Sequence, residues 1–141
     1  MNKNLPFVVF KIDNQQFALE CAAVRRIIQL VEIAPIPNMT SNILGVINVK
    51  GEITTVINIR HYLNLPPAEP NIEDLIIIAE TLSKPFAFIV NEVIFTEFSM
   101  TSQSVSKEND TETAHEFLKS ETGVINIINI KNLLKTNEYR L

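Results

Sequence analysis

Two apolar, β-branched runs flank Lys50-Gly51: ILGVINV before it and EITTVIN after it. Glycine takes positive φ without steric cost, so the dipeptide predicts a tight hairpin, Ile43 to Val49 going out and Glu52 to Asn58 returning. Ile59 to Leu63 then reads as a helical turn, with the Asn58 side chain placed to cap it. Upstream, Phe7 to Ile12 and Phe17 to Cys21 are strands joined by the polar turn Asp13 to Gln16. Ala22 to Ile28 is a single helical turn running into a strand through Val31, and Ala34 to Met39 is a proline-stiffened approach to the hairpin. Val24, Ile27 and Ile28 flank Arg25-Arg26 and cannot all face inward at one spacing, which points to an exposed apolar strip.

Beyond Leu65, Pro66-Pro67-Ala68-Glu69-Pro70 is an extended linker and the clearest internal boundary. Leu75 to Glu80 follows as an apolar strand expected to be buried on both faces. Pro85 to Val90 and Val93 to Phe98 are further strands. Thr101 to Ser120 is predominantly polar, and is expected to be a solvated loop ending in a short strand, Glu116 to Lys119. Glu121-Thr122-Gly123 turns the chain into Val124 to Ile128, and Asn129 caps a closing helix, Ile130 to Lys135.

The halves echo one another. FALECAAV at Phe17 lies over FAFIVNEV at Phe86, an offset of 69, and INIRHYL at Ile57 lies over INIKNLL at Ile128, an offset of 71. The identical GVIN segments at Gly45 and Gly123 need an offset of 78 and are set aside. The steadier register puts Glu121 to Gly123 opposite Lys50 to Glu52. The periodicity implies two small barrels of similar build, packed as one unit. The expected halves are residues 14–65 and 71–141, with strand 5–13 shared between them.

Composition narrows the chemistry. With 141 residues the chain is one domain with a substantial core. A net charge of −4 argues against nucleic acid as the main partner. The single cysteine, Cys21, excludes an internal disulfide and a thiolate metal site. No stretch approaches the ~20 apolar residues of a spanning helix, and the N-terminus lacks the pattern of a signal peptide; a soluble, cytosolic protein with no membrane insertion is expected.

Catalysis finds little support. His61 and His115 are too few for a multi-histidine metal centre, and three glycines are too few for a phosphate loop. His61 reads as a partly exposed surface residue and His115 as a solvated loop residue. Cys21 has neither a nearby histidine in sequence nor a helix N-terminus to activate it. Glu108, Asp110, Glu112 and Glu116 lack the glycine and flanking helices of a calcium loop. The expectation is a protein that acts by binding, with no catalytic residue, cofactor or metal. A second reading is a barrel carrying a small apolar ligand, with the loop 101–120 as its lid.

The hairpin segment GVINVKG–EITTVINIRHYL resembles the central motif of CheW-like domains, approximately G-V-x-N-L-R-G-x-(apolar)-x-P-(apolar)-x-D-L-R. The likeness extends along essentially the whole chain: FVVFKIDNQQFALE is similar to the family's opening hairpin, VRRII to its V-x-E-(apolar) segment, and PIPN to its proline-containing approach. FAFIVNEV is similar to its second-half G-(apolar)-x-V-D-x-V, and VINIINIKNLL to its terminal strand and helix.

The resemblance implies a mainly β fold of two interlocked five-stranded SH3-like barrels with short helices. It also implies a cytoplasmic, non-enzymatic adaptor coupling the cytoplasmic tips of methyl-accepting receptors to the regulatory domain of a CheA-type histidine kinase. Carried over residue by residue, the family's receptor-contact positions fall on Val24 and Lys50, with Ile27, Asn48 and Gly51 beside them. The chain departs from the pattern at several places. Lys50 replaces an arginine, keeping the charge and losing the planar fork that binds carboxylates through two bonds. Thr55 replaces proline, Asn58 and Asn91 stand where aspartates are common, and Arg26 stands where an acidic residue is frequent.

Overall fold

The computed structural model describes residues 3–38, 40–81, 84–100, 105–108, 115–120 and 123–129. Along these run β1 (Lys3–Ile12), β2 (Gln15–Glu20), a 3-10 turn (Cys21–Ala23), β3 (Val24–Gln29), β4 (Ile43–Val49), β5 (Glu52–Ile57) and the one-turn helix α1 (Ile59–Tyr62). Then come β6 (Leu75–Thr81), β7 (Lys84–Val90), β8 (Glu92–Met100), β9 (Val105–Glu108), β10 (His115–Ser120) and β11 (Gly123–Ile127). The strands form two sheets, each belonging to its own compact unit.

In the first unit, from residues up to Ala22 and Asn91–Asn129, the strand order is β8-β1-β2-β11-β10-β9. Six strands stand here where five were expected. The β1–β2 turn needs only Asp13 and Asn14, both at positive φ (52° and 67°), the geometry whose twist matches a two-residue hairpin. The Asp13 N–H donates to Asn91 Oδ1 at 2.9 Å, and the Asn91 N–H donates to the Lys11 carbonyl at 2.9 Å. Phe7, Val9, Ala18 and Ile125 make a buried cluster against which Ile127 packs.

The polar segment 101–120 is not simply a loop. Its described parts are β9 and β10, and β10 pairs with both β9 and β11. His115 accordingly opens a strand. β10 coincides with the short strand expected at Glu116 to Lys119, whereas β9 stands where a solvated loop was expected: its backbone pairing with β10 outweighs the low apolar content there. Glu121, Thr122 and the expected helix Ile130–Lys135 lie outside the described residues.

In the second unit, whose described residues are 23–38, 40–81 and 84–90, the order is β3-β6-β7-β5-β4. After β3 the chain crosses to β4, where Ala34 and Val46 exchange backbone hydrogen bonds at 2.9 Å, so the row of strands curls closed. Gly45 permits that approach: its φ is +151°, and a Cβ there would overlap the Ala34 carbonyl. Ile47, Val56, Ile76, Ile78 and Ala87 form the buried core, with Ile28, Leu30, Ile33, Val49 and Ile89 packed around it. Ile76 to Ala79 are all buried, as two covered faces require.

The repeat is present, but its halves are not the units. The linker 66–70 lies inside the second unit, between α1 and β6, and each unit combines strands from both halves. In the second unit β5 runs parallel to β7, with Val56 opposite Ala87; in the first β11 runs parallel to β2, with Ile127 opposite Ala18. These pairs are related by the two sequence offsets. So are Ile78 opposite Ala87 and Val9 opposite Ala18. The hairpin ends agree too, Val49 opposite Glu52 and Ser120 opposite Gly123. Each repeat leaves its central strands without partners of its own, which is why a division at the linker does not describe the packing.

Candidate functional site

The β4–β5 hairpin turns on Lys50 and Gly51, with φ of 51° and 87°. Positive φ at both central positions is the mirror-image turn that suits strand twist. Gly51 adopts it freely, whereas a lysine pays a steric cost of about 1–2 kcal/mol. Asn48 offsets part of this by accepting the Gly51 N–H on its Oδ1 at 2.8 Å. Lys50 is consequently held out on a fixed, exposed turn.

β3 carries a bulge between Val24 and Arg26, which oppose the adjacent residues Ala79 and Ile78. Arg25 is the extra residue. The bulge puts Val24 and Ile27, three apart, on the face shared with Ala79 and Ile77, while Arg26 and Ile28 take the face of Ile78 and Ile76. Val24, Ile27 and Ile28 are all half-buried, so the exposed apolar strip expected from the sequence does not form. With Ile77 and Ile78 both buried, each sheet face at this point is covered.

At the rim of the second unit's core, Arg25, Arg26, Val49, Lys50, Glu52, Thr54 and Ile78 line a depression of about 200 Å³. Arg25 Nη1 donates to Glu52 Oε1 at 2.9 Å and lies 3.7 Å from Glu80 Oε2. These groups are substantially exposed, so the cluster's value is positional more than energetic. Its geometry suits the capture of a charged side chain from another protein. It does not suit a carried apolar ligand: the walls are charged, and the volume falls below the ~300–1,000 Å³ usual for enclosed ligands. Within the supposed lid, the described residues 105–108 and 115–120 are strands of the first unit's sheet.

Of the five contact positions carried over from the resemblance, only Lys50 lines the depression. Asn48 and Gly51 shape its turn, and Val24 and Ile27 lie on the other face of β3. Arg25, Glu52 and Glu80 were not singled out as site residues. The Arg25-Arg26 pair was the only visible signal, because the ion pairs join residues 27 or more positions apart in the chain. Asn58 caps α1 as expected, its Oδ1 accepting the His61 N–H at 3.3 Å, and His61 itself is exposed. Cys21 opens the 3-10 turn and does not close the strand before it; its thiol is free.

The model for the CheW-like domain matches residues 6–138. The chain belongs to the CheW-like family. It is similar to the chemotaxis protein CheW of Bacillus subtilis, 29% identical over 133 residues, covering 90% of this chain and 85% of that one. It is also similar to the chemotaxis protein CheW of Rhizobium meliloti, 28% identical over 92 residues, a match covering 65% of this CheW-like chain and 59% of the length of its relative. Among solved structures, the scaffolding protein TtCheW from Thermoanaerobacter tengcongensis shares the fold: TM-score 0.82, 23% identity, 99% of this chain and 98% of that one.

Proposed function

We propose that this CheW-like chain is a non-enzymatic adaptor that couples methyl-accepting receptors to a CheA-type histidine kinase in chemotaxis or a related motility array. The supporting observation is the Lys50 turn: an exposed cation, held on a strained hairpin turn, in a chain of the CheW-like family similar to chemotaxis proteins CheW and to a CheW scaffolding protein. Strain held at an exposed position is a mark of function more than of folding. The receptor's cytoplasmic tip engages Lys50 and Gly51, with Asn48 setting the turn and Val24 and Ile27 fixing the strand beside it. The kinase's regulatory domain docks on another surface, so that a receptor shift reaches the kinase mechanically. The adaptor works on the cytoplasmic side of the receptor array; no described helix is long and apolar enough to cross a membrane.

Co-elution tests the reading. The chain, a receptor tip and the kinase regulatory domain from the same cell are expected to co-elute as a ternary complex, and the receptor tip and regulatory domain are expected to elute apart when the chain is left out. A chain that elutes alone in all mixtures contradicts it.

A further inference from the structure

We propose that the depression beside the Lys50 turn selects a partner segment carrying carboxylates next to an aliphatic side chain, with Arg26 and Lys50 making the selection. This rests on the adaptor reading and specifies the chemistry of the receptor surface it takes.

Three cations line the depression, but they are not equivalent. Arg25 is satisfied within the chain by Glu52 and Glu80. Arg26 and Lys50 are exposed, and among the described residues neither forms an ion pair. Glu52 is already engaged by Arg25, so an incoming carboxylate meets two uncommitted cations and a neutralised acid. Between them lies an apolar floor: Ile78 is buried and Val49 half-buried.

The local charge opposes that of the whole chain, whose net charge is −4. A partner rich in acids is repelled by most of the surface and attracted here, which orients its approach. A basic partner would be steered elsewhere. The bulge that makes Arg25 the extra residue lets Arg25 and Arg26 line the same depression, where regular alternation would turn one of them away.

The test is calorimetric titration of the full chain with a receptor cytoplasmic tip from the same cell, at several salt concentrations. Native binding is expected to weaken as salt rises. Arg26→Gln is expected to bind about two- to fivefold more weakly with a shallower salt dependence, and Arg26→Lys to retain both affinity and slope. Arg26 is exposed, so an unchanged unfolding midpoint verifies that each variant is folded. If the native chain binds and Arg26→Gln matches it in affinity and slope, the selection for acids is overturned and the adaptor reading stands. Tighter binding by Arg26→Gln identifies a basic partner and also overturns it. If the native chain does not bind the tip, the adaptor reading fails and this proposal with it. If Arg26→Gln instead abolishes self-association seen in sedimentation, the occupant is a second copy and the receptor assignment falls.

Discussion

The guanidinium of Arg25, the extra residue of the β3 bulge, donates to the Glu52 carboxylate at 2.9 Å, tying β3 to the turn end of the Lys50 hairpin. Arg25 and Glu52 stand in different elements that the sheet order puts at separate positions, β3 at one edge and β5 next to the other. The bond therefore reports the curl of the sheet as well as local charge. Both side chains are about half exposed, so a double-mutant cycle of Arg25→Ala and Glu52→Ala is expected to give a coupling below about 1 kcal/mol, weakening with salt. Chemical denaturation of the four proteins at low and high salt measures it.

Lys50 occupies a conformation that asparagine and glycine accept more readily. Lys50→Asn is expected to leave stability unchanged or raise it by up to about 1 kcal/mol, while removing the charge offered to the receptor. Paired measurements of unfolding midpoint and receptor-tip affinity should move in opposite directions or leave the midpoint unmoved. A large loss of stability would mean that the lysine serves the fold.

Gly45→Ala introduces a Cβ into the Ala34 carbonyl at a φ of +151°. The crossing segment must then move away from β4, breaking the Ala34–Val46 pair that closes the second unit. A loss of about 2 kcal/mol or more is expected, read from the denaturant midpoint. Gly51→Ala meets no atom within 4 Å and carries only the backbone penalty.

The strand pairing makes a prediction about fragments. Residues 1–68 contain β5 but not its neighbour β7, and β2 but not its neighbour β11. Such a fragment is expected to show no cooperative unfolding by circular dichroism, and neither is its complement, 69–141. Mixing the two should restore a cooperative transition. Independent folding of 1–68 would contradict the described pairing.

The fold was largely legible in the sequence, and for identifiable reasons. The Lys50-Gly51 hairpin and the Asn58 cap are local, set by residues within three positions of one another. The offset register survived because Ala18 and Ala87 occupy the same place in their cores, and so do Ile127 and Val56. Sequence order hid the exchange: a repeat shows which segments are alike, and carries no mark of which copy each strand pairs with. Of the two strands described within 101–120, β10 coincides with the short strand expected at Glu116 to Lys119, one residue longer at each end, while β9 escaped notice because its pairing is held by backbone bonds, which leave little trace in side-chain pattern. The site was half legible. Lys50 came from the family resemblance, while the Arg25–Glu52–Glu80 cluster depends on a bulge and a curl that no local pattern encodes.

The adaptor account depends most on Lys50, and a receptor-tip pull-down with Lys50→Glu and Lys50→Arg tests it directly. Lys50→Glu reverses the charge on an exposed turn and is expected to weaken recruitment by about tenfold or more, with the unfolding free energy held within about 1 kcal/mol of native. Lys50→Arg is expected to recruit at least as well as the native chain, because the charge is kept and a carboxylate fork is gained. Recruitment by Lys50→Glu equal to native would contradict the assignment of this turn as the receptor contact.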